Sequence, residues 1–583
     1  MMGADGDPAR KGAPMREDIM EASFVSGARD VPLLEIPIGR ALSDAARRWP
    51  DRDALVAPHG AEEAAARWSW SELDRRADGF AAGLLALGLE PGDRIGMWAL
   101  NTAEWVLVQF AAAKAGLILV TVNPAYRVTE LEFALRQVGC AALVLGPPFK
   151  TSDYLAMLRE LAPELDGCEP GRLAAARLPD LRTVIAFGFD PPGAVPFESV
   201  PGRAGPAEAA RLAALADTIR AGDDVNIQFT SGTTGTPKGV TLTHRNILNN
   251  GFFIGKAMRY GPEDRVCIPV PLYHCFGMVI GVLACLAHGS CMVFPGRGFD
   301  PLATLRTAAG ERCTSLYGVP TMFLAELDHP AFDDFDLTSL RTGVMAGSPC
   351  PIAVMRRVVE RMHLAGLTIC YGMTETSPVS FQSAVDDPLE RRVSTVGRVH
   401  PHLEVKVVDP EGRVVPRGEA GELCTRGYAV MRGYWGEPER TAAVLDGDGW
   451  MHTGDRATID AEGFCNIVGR IKDLIIRGGE NVSPREVEDY LYRHPDVQDV
   501  AVFGVPDPRY GEEVCAWVKP RPGASLTADS VRNFCVGRIA HQKVPRYVEV
   551  VDAFPLTVTG KVQKFVMREA MEAKLGLSAE ATA

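Results

Sequence analysis

Apolar and polar positions change period repeatedly along this chain. Short apolar runs, Arg94 to Ala99 (RIGMWA) and Leu117 to Val122 (LILVTV), read as buried strands. Amphipathic stretches stand between them. One opens at Ser71-Glu72-Leu73-Asp74, a capping box, and runs to the region of Gly88; another begins at Thr102. Alternation of this kind predicts layered α/β architecture with largely parallel sheets. No internal repeat of about 20–50 residues is visible.

Two stretches depart from the pattern. Glu169 to Ala210 is rich in Pro, Gly and Ala with little periodicity, which predicts a surface excursion. Residues 400–470 switch to short β-type segments with Gly-rich turns, which predicts a small barrel or sheet joined to the larger body. Beyond Arg470 a second unit is readable. Ser483-Pro484-Arg485-Glu486 opens a helix with Pro at its first position, and His494-Pro495 closes it. Strands at Val497–Val505 and Glu513–Lys519, a helix near Thr527–Ala540 and a strand at Tyr547–Val551 complete it. The expected organisation is an unstructured segment over 1–28, a large layered α/β domain with a small β-barrel-like subdomain over 29–471, and a small mobile α+β domain over 472–583.

At 583 residues the chain is long enough for several cores, and its 46% hydrophobic and 23% charged residues are ordinary for a globular protein. A formal net charge of −13 argues against a protein that coats nucleic acid. The thirteen cysteines are scattered singly, with no C-x-x-C pair, and the eleven histidines form no H-x-x-x-H pair. That pattern fits reduced thiols in place of a disulfide framework or a zinc site. The first residues carry no apolar core of a signal peptide, and the longest apolar stretch, Gly277 to Ala287, falls short of the roughly 20 residues of a membrane-spanning helix. A cytoplasmic protein without an integral membrane segment is expected.

The segment richest in chemistry is Ile227 to His244, IQFTSGTTGTPKGVTLTH. A strand (Val225–Phe229) leads into a loop dense in Ser, Thr and Gly, and a helix follows from about Thr243. Unencumbered amides and hydroxyls can wrap a polyphosphate, and Lys238 adds a positive charge. The Walker loop is excluded, because Pro237 stands where its second Gly belongs and Gly239 where its Ser or Thr belongs. Taken alone, Tyr371 is either a face for stacking or a core residue at a strand end, Glu375 either a ligand for a hard cation or a solvated carboxylate, and Thr453-Gly454-Asp455 a turn.

Thr230-Ser231-Gly232-Thr233-Thr234-Gly235-Thr236-Pro237-Lys238-Gly239 resembles the phosphate-loop signature of the adenylate-forming enzymes, which include acyl-CoA synthetases, peptide-synthetase adenylation domains and beetle luciferases. Six more signatures follow in that superfamily's order: Pro271-Leu272-Tyr273-His274, Ala346-Gly347-Ser348-Pro349, Tyr371-Gly372-Met373-Thr374-Glu375, Thr453-Gly454-Asp455, Gly469-Arg470-Ile471-Lys472-Asp473, and Pro555 with Gly560-Lys561. The resemblance covers about residues 30 to 575. It leans toward medium-chain acyl-CoA ligases through Asn123-Pro124-Ala125-Tyr126 and Ile475-Ile476-Arg477-Gly478-Gly479-Glu480-Asn481.

The resemblance implies ATP, Mg2+ and coenzyme A as the small molecules handled, with a fatty or related carboxylic acid as the acyl substrate. Thr233 and Glu375 would hold the ATP-bound magnesium. Asp455 would accept both ribose hydroxyls and Arg470 would contact ribose and phosphate, beside Tyr371 and the Gly347-Ser348 turn. Lys561 would be the catalytic lysine that the small domain delivers to the α-phosphate. Lys472 matches the hinge, and Gly478 with Gly479 the loop beside the pantetheine channel. His274 would gate an acyl pocket lined by Phe276, Gly277 and Met278, although a core stripe explains the last three equally well. In bacterial relatives the Lys561 pattern also marks a target of lysine acetyltransferases, and a homodimer is a further expectation.

The implied reaction is ATP plus carboxylate to acyl-AMP and pyrophosphate, then acyl transfer to CoA. Activation of aryl or amino acids is the second reading. Amino-acid-adenylating relatives carry an acid at the end of the Pro-Leu-Tyr-His equivalent, and Cys275 to Met278 has none. A non-catalytic nucleotide- or lipid-binding homologue is the third, and the intact Lys561, Glu375 and Asp455 speak against it.

Overall fold

The computed structural model describes residues 22–57, 66–149, 151–230, 237–348, 350–478, 480–507, 509–557 and 562–577. Their strands form four sheets. In the first, Asp224–Thr230, Ile118–Thr121, Arg94–Trp98, Cys140–Leu145 and Thr183–Ala186 lie parallel, while Lys238–Thr243 folds back antiparallel on Asp224–Thr230. In the second, Cys291–Val293, Arg265–Cys267, Ser315–Gly318, Thr342–Met345 and Gly366–Gly372 are parallel neighbours. Ile118–Thr121, Cys140–Leu145 and Thr183–Ala186 are buried at every residue, as strands covered on both faces are.

The covering helices are set by their caps and their apolar content. Ala103–Ala115 is buried at every residue but Glu104, so it lies inside the domain instead of on it. Thr102 caps it by accepting from the Trp105 N–H at 3.2 Å, and Gly116 ends it in the left-handed region at φ 72°. The helix Trp70–Ala86 begins two residues earlier than expected: Ser69, not Ser71, accepts from the Glu72 N–H, at 3.2 Å. Ser71 donates instead to the Pro50 carbonyl at 2.8 Å. Both serines have an acceptor oxygen, and the backbone path out of the preceding strand selects the first.

Two expectations about irregular stretches are corrected. Glu169 to Ala210 is not merely a surface excursion, since Thr183–Ala186 within it is a fully buried strand parallel to Cys140–Leu145. Phe197 from the same stretch packs on Phe80, ring centroids 4.5 Å apart. Four apolar residues are too few to display a period. Order also begins before residue 28, because Phe24–Ser26 pairs antiparallel with Leu403–Val408. That pairing forms the edge of an antiparallel sheet running Phe24–Ser26, Leu403–Val408, Gly421–Gly427, Met451–Ile459, Cys465–Arg470. Its ends do not meet, so the β-rich section is an open sheet and not a closed barrel.

The small C-terminal unit has the five elements read from the sequence and adds the hairpin Ile475–Arg477/Glu480–Val482 and the helix Lys564–Leu575. Val497–Asp507 and Gly511–Pro520 form a long antiparallel pair, Tyr547–Val550 adds parallel to the second, and Pro484–Leu491 and Ala528–Cys535 cover one face. Ser483 starts its helix without a capping bond, because its hydroxyl donates to the Val468 carbonyl at 2.7 Å. That bond ties the unit to the last strand of the open sheet.

Candidate functional site

Loops at the carboxyl ends of parallel strands gather most of the sequence-derived site residues, the usual place for a ligand in open α/β sheets. Asp224–Thr230 leads into the phosphate loop, Thr342–Met345 into Ala346-Gly347-Ser348, and Gly366–Gly372 into Met373-Thr374-Glu375. Thr230 and Lys238 face each other as the last pair of the hairpin flanking that loop. Ser231, Gly232, Thr233, Thr234, Gly235, Thr236, Gly479 and Lys561 lie outside the described residues.

Two glycines are required by the backbone. At Gly372 a Cβ would stand 1.7 Å from the Pro378 carbonyl oxygen. At Gly347 φ is +90°, where a side chain is strained.

Asp455 organises one wall. Its buried carboxylate accepts from the Tyr371 hydroxyl at 2.6 Å and meets Arg470 Nε at 3.0 Å. Asp455 and Arg470 are a register pair of adjacent strands, so the sheet itself sets the ion pair. Burial, and then the Asp455 charge, hold the Tyr371 phenol protonated by raising its pKa well above the ordinary value. A carboxylate oxygen has more than one acceptor site, so Asp455 can still receive further hydroxyl donors.

Glu375 organises a second cluster. It is buried, accepts from the Tyr434 hydroxyl at 2.9 Å, and its carbonyl accepts from the Met431 N–H at 2.9 Å. Burial, followed by the Glu375 charge, pushes the Tyr434 phenol up. Lys238 places its ammonium 4.8 Å from the Tyr434 ring centroid. Tyr434 thus joins two site residues, and sequence reasoning missed it. Its only signal was a Tyr-Trp pair after a Gly-containing turn, Arg432-Gly433-Tyr434-Trp435.

Lys472 lies at the surface between the open sheet and the small unit. Its ammonium pKa is lowered by partial desolvation and then by Arg470, with Lys238 acting in the same direction and Asp473 and Asp455 opposing. The position matched to the hinge is therefore within electrostatic reach of the nucleotide wall. Gly478 turns the hairpin between Ile475–Arg477 and Glu480–Val482 at φ +61° and donates its N–H to the Tyr510 carbonyl at 2.7 Å.

The four residues assigned to an acyl pocket separate. His274 is half-buried and its Nδ1 accepts from the Phe276 N–H at 3.2 Å. Phe276 is buried against Tyr317, centroids 5.8 Å apart. Gly277 does not face open space, since a Cβ there would lie 2.4 Å from the Pro271 carbonyl oxygen. Met278 turns its sulfur to Gln228 Nε2 at 2.8 Å, and the Gln228 carbonyl oxygen accepts from the Cys275 thiol at 2.8 Å. Gly277 and Met278 lie in the buried helix Phe276–Leu283.

Residues 42–435 match the AMP-binding enzyme family, and residues 486–561 match the AMP-binding enzyme C-terminal domain. The chain belongs to the AMP-binding enzyme family. It is 46% identical over 561 residues to the mitochondrial medium-chain acyl-CoA ligase ACSF2 of Danio rerio, covering 96% of this chain and 92% of that protein. The anthranilate CoA ligase AuaEII, solved with anthranoyl-AMP, superimposes with a TM-score of 0.81 at 27% identity, covering 94% of this chain and 99% of that one. ATP-bound MatB from Rhodopseudomonas palustris gives 0.75 at 29% identity, with 92% and 99% covered.

Proposed function

We propose that this chain is an AMP-forming acid–CoA ligase whose acyl substrate is a medium-chain fatty acid. The observation that carries the reading is the buried Asp455 carboxylate, fixed between the Tyr371 hydroxyl and Arg470. It supplies a ribose anchor, and Glu375, which follows the strand Gly366–Gly372, supplies an anionic oxygen ligand.

In the first half-reaction the substrate carboxylate attacks the α-phosphorus of ATP, the bond to the bridging oxygen breaks, and pyrophosphate leaves. No proton has to be removed, so the protein's work is placement and charge stabilisation. Asp455 holds the ribose and Arg470, held by Asp455, reaches the phosphate. Lys238 and Lys561 balance charge on the phosphates. Glu375, with the hydroxyl of Thr233, offers the hard oxygen donors that magnesium prefers, and the bound ion would neutralise phosphate charge. In the second half-reaction the CoA thiolate attacks the acyl carbonyl and AMP leaves.

One site serving two nucleophiles needs two closed arrangements, and we assign the change between them to rotation at Lys472. In one arrangement the small domain presents Lys561; in the other it presents Gly478 and Gly479 to pantetheine. Acetylation of Lys561 by an acetyltransferase would remove its charge and shut off the first step alone. Assembly as a homodimer belongs to the same proposal. So does a cytoplasmic location, which the thirteen free cysteines support. Among the described residues no helix is long and apolar enough to cross a membrane.

The test separates the half-reactions. Lys561→Ala should lose acyl-AMP formation by about 10²–10³-fold, as when a transition-state donor is removed. Thioester formation from supplied acyl-AMP should stay near wild type. Near-normal acyl-AMP formation in the variant would remove Lys561 from the mechanism.

A further inference from the structure

We propose that Glu422, Cys424 and His452 form a binding site for a zinc-class divalent cation, separate from the oxygen ligands offered to magnesium at Glu375. The three residues come from neighbouring strands of the open sheet. Cys424 and His452 are a register pair of Gly421–Gly427 and Met451–Ile459, and Glu422 precedes Cys424 by two, on the same face of its strand. The Cys424 sulfur lies 3.5 Å from His452 Nδ1, and Nδ1 lies 2.9 Å from Glu422 Oε2. All three donor atoms fall within 4.8 Å of one another.

Those separations suit one ion. Zinc bonds of about 2.0–2.3 Å in a tetrahedron place ligand atoms roughly 3.3–3.7 Å apart. Small side-chain shifts bring this set into that range. The donor set, one sulfur, one imidazole nitrogen and one carboxylate oxygen, selects a borderline-soft ion over magnesium or calcium. Binding displaces the Cys424 thiol proton to solvent, after which thiolate, carboxylate and a dipositive ion sum to zero charge. The thiol end is buried, while the His452 and Glu422 side chains are 36% and 24% exposed, which leaves a solvent-facing side from which an ion can enter and take a fourth ligand.

The surroundings are built. The second carboxylate oxygen of Glu422 accepts from the Gly454 N–H at 3.2 Å, which orients the ligand as outer-shell bonds do in metal sites. Gly454 lies in a bulge where Thr453, Gly454 and Asp455 stand opposite Leu423 alone. Thr453 pins that bulge by donating to the Leu423 carbonyl at 2.7 Å. An ion held by Glu422 therefore clamps the segment that presents Asp455 to the nucleotide. Neither cysteine spacing nor histidine spacing along the chain announces the site, because its members meet only through strand pairing.

The experiment uses the full chain, zinc as the ligand and cobalt as its spectroscopic stand-in. One zinc per chain should survive dialysis, and zinc should raise the melting temperature of the metal-free protein. The cobalt form should show thiolate-to-metal charge-transfer absorption. Cys424→Ala should abolish that absorption, and both it and His452→Gln should weaken zinc binding at least about 100-fold, the upper end for loss of an outer-shell partner. Circular dichroism checks that each variant folds, and either one that folds suffices. A cobalt spectrum without the thiolate band, or zinc affinity unchanged in a folded variant, overturns the proposal.

Discussion

Tyr371 and Asp455, 84 residues apart in the chain, share a 2.6 Å hydrogen bond in which the phenol donates to the carboxylate. The bond couples the strand end of the parallel sheet to the bulge of the open antiparallel sheet. It fixes Asp455 relative to Tyr371 and the chain that continues from it to Glu375.

Removing that donor alone tests the coupling. Tyr371→Phe keeps the ring and leaves Asp455 with Arg470 as its remaining charged partner. A hydrogen bond to a charged group contributes about 1.5–3 kcal/mol. ATP binding measured by calorimetry should weaken by about 10-fold or more, with a comparable loss in unfolding free energy. Unchanged ATP affinity in the variant would mean that Asp455 is positioned by Arg470 alone.

Gly277 gives a sharper packing prediction. A Cβ at this position would meet the Pro271 carbonyl oxygen at 2.4 Å, and backbone cannot swing aside as a side chain can. Gly277→Ala should destabilise the protein by about 1–3 kcal/mol in urea titration, the ordinary cost of overpacking. The acid preference of the folded fraction should not change. If Gly277→Leu were stable and favoured shorter acids, the residue would line the acyl tunnel after all.

Much of this arrangement is legible in the chain and some of it is not. The strand before the phosphate loop, the Thr243 cap of the following helix and the central helices and strands of the small domain follow from local period and capping residues, whereas its hairpin Ile475–Val482 and its last helix Lys564–Leu575 do not. The return strand Lys238–Thr243 was missed because Gly239 and alternating Thr residues obscure its apolar positions. Thr183–Ala186 hid in a Pro- and Gly-rich stretch because four residues carry no period. For the site, ordered motifs named Asp455, Arg470, Tyr371 and Glu375, yet nothing local marks Tyr434 as the partner of Glu375. The cluster of Glu422, Cys424 and His452 depends on strand register, which single-chain spacing does not express.

His244 predicts a response to acid. It is buried, its Nδ1 accepts from the Ile38 N–H at 3.1 Å, and burial lowers its pKa to about 4, with Asp223 opposing. An unfolded imidazole takes its proton near about 6.5. The unfolded chain therefore binds more protons below that pH, so stability is full above about 6.5 and falls as pH drops toward 4. The loss attributable to His244 should reach roughly 3 kcal/mol. His400, buried and lowered to about 3, adds to the same slope. Urea titrations at several pH values should show a shallower decline for His244→Gln than for wild type. Parallel slopes would show that His244 does not drive the loss.

Product analysis by mass spectrometry shows whether one chain makes an acyl adenylate and then a thioester. Purified protein is mixed with ATP, magnesium and octanoate, first without CoA and then with it. Without CoA the account predicts enzyme-bound octanoyl-AMP and one equivalent of pyrophosphate. With CoA it predicts octanoyl-CoA and AMP in equal amounts. Formation of ADP and phosphate in place of AMP and pyrophosphate, or octanoyl-CoA without an adenylate in the first mixture, would contradict it.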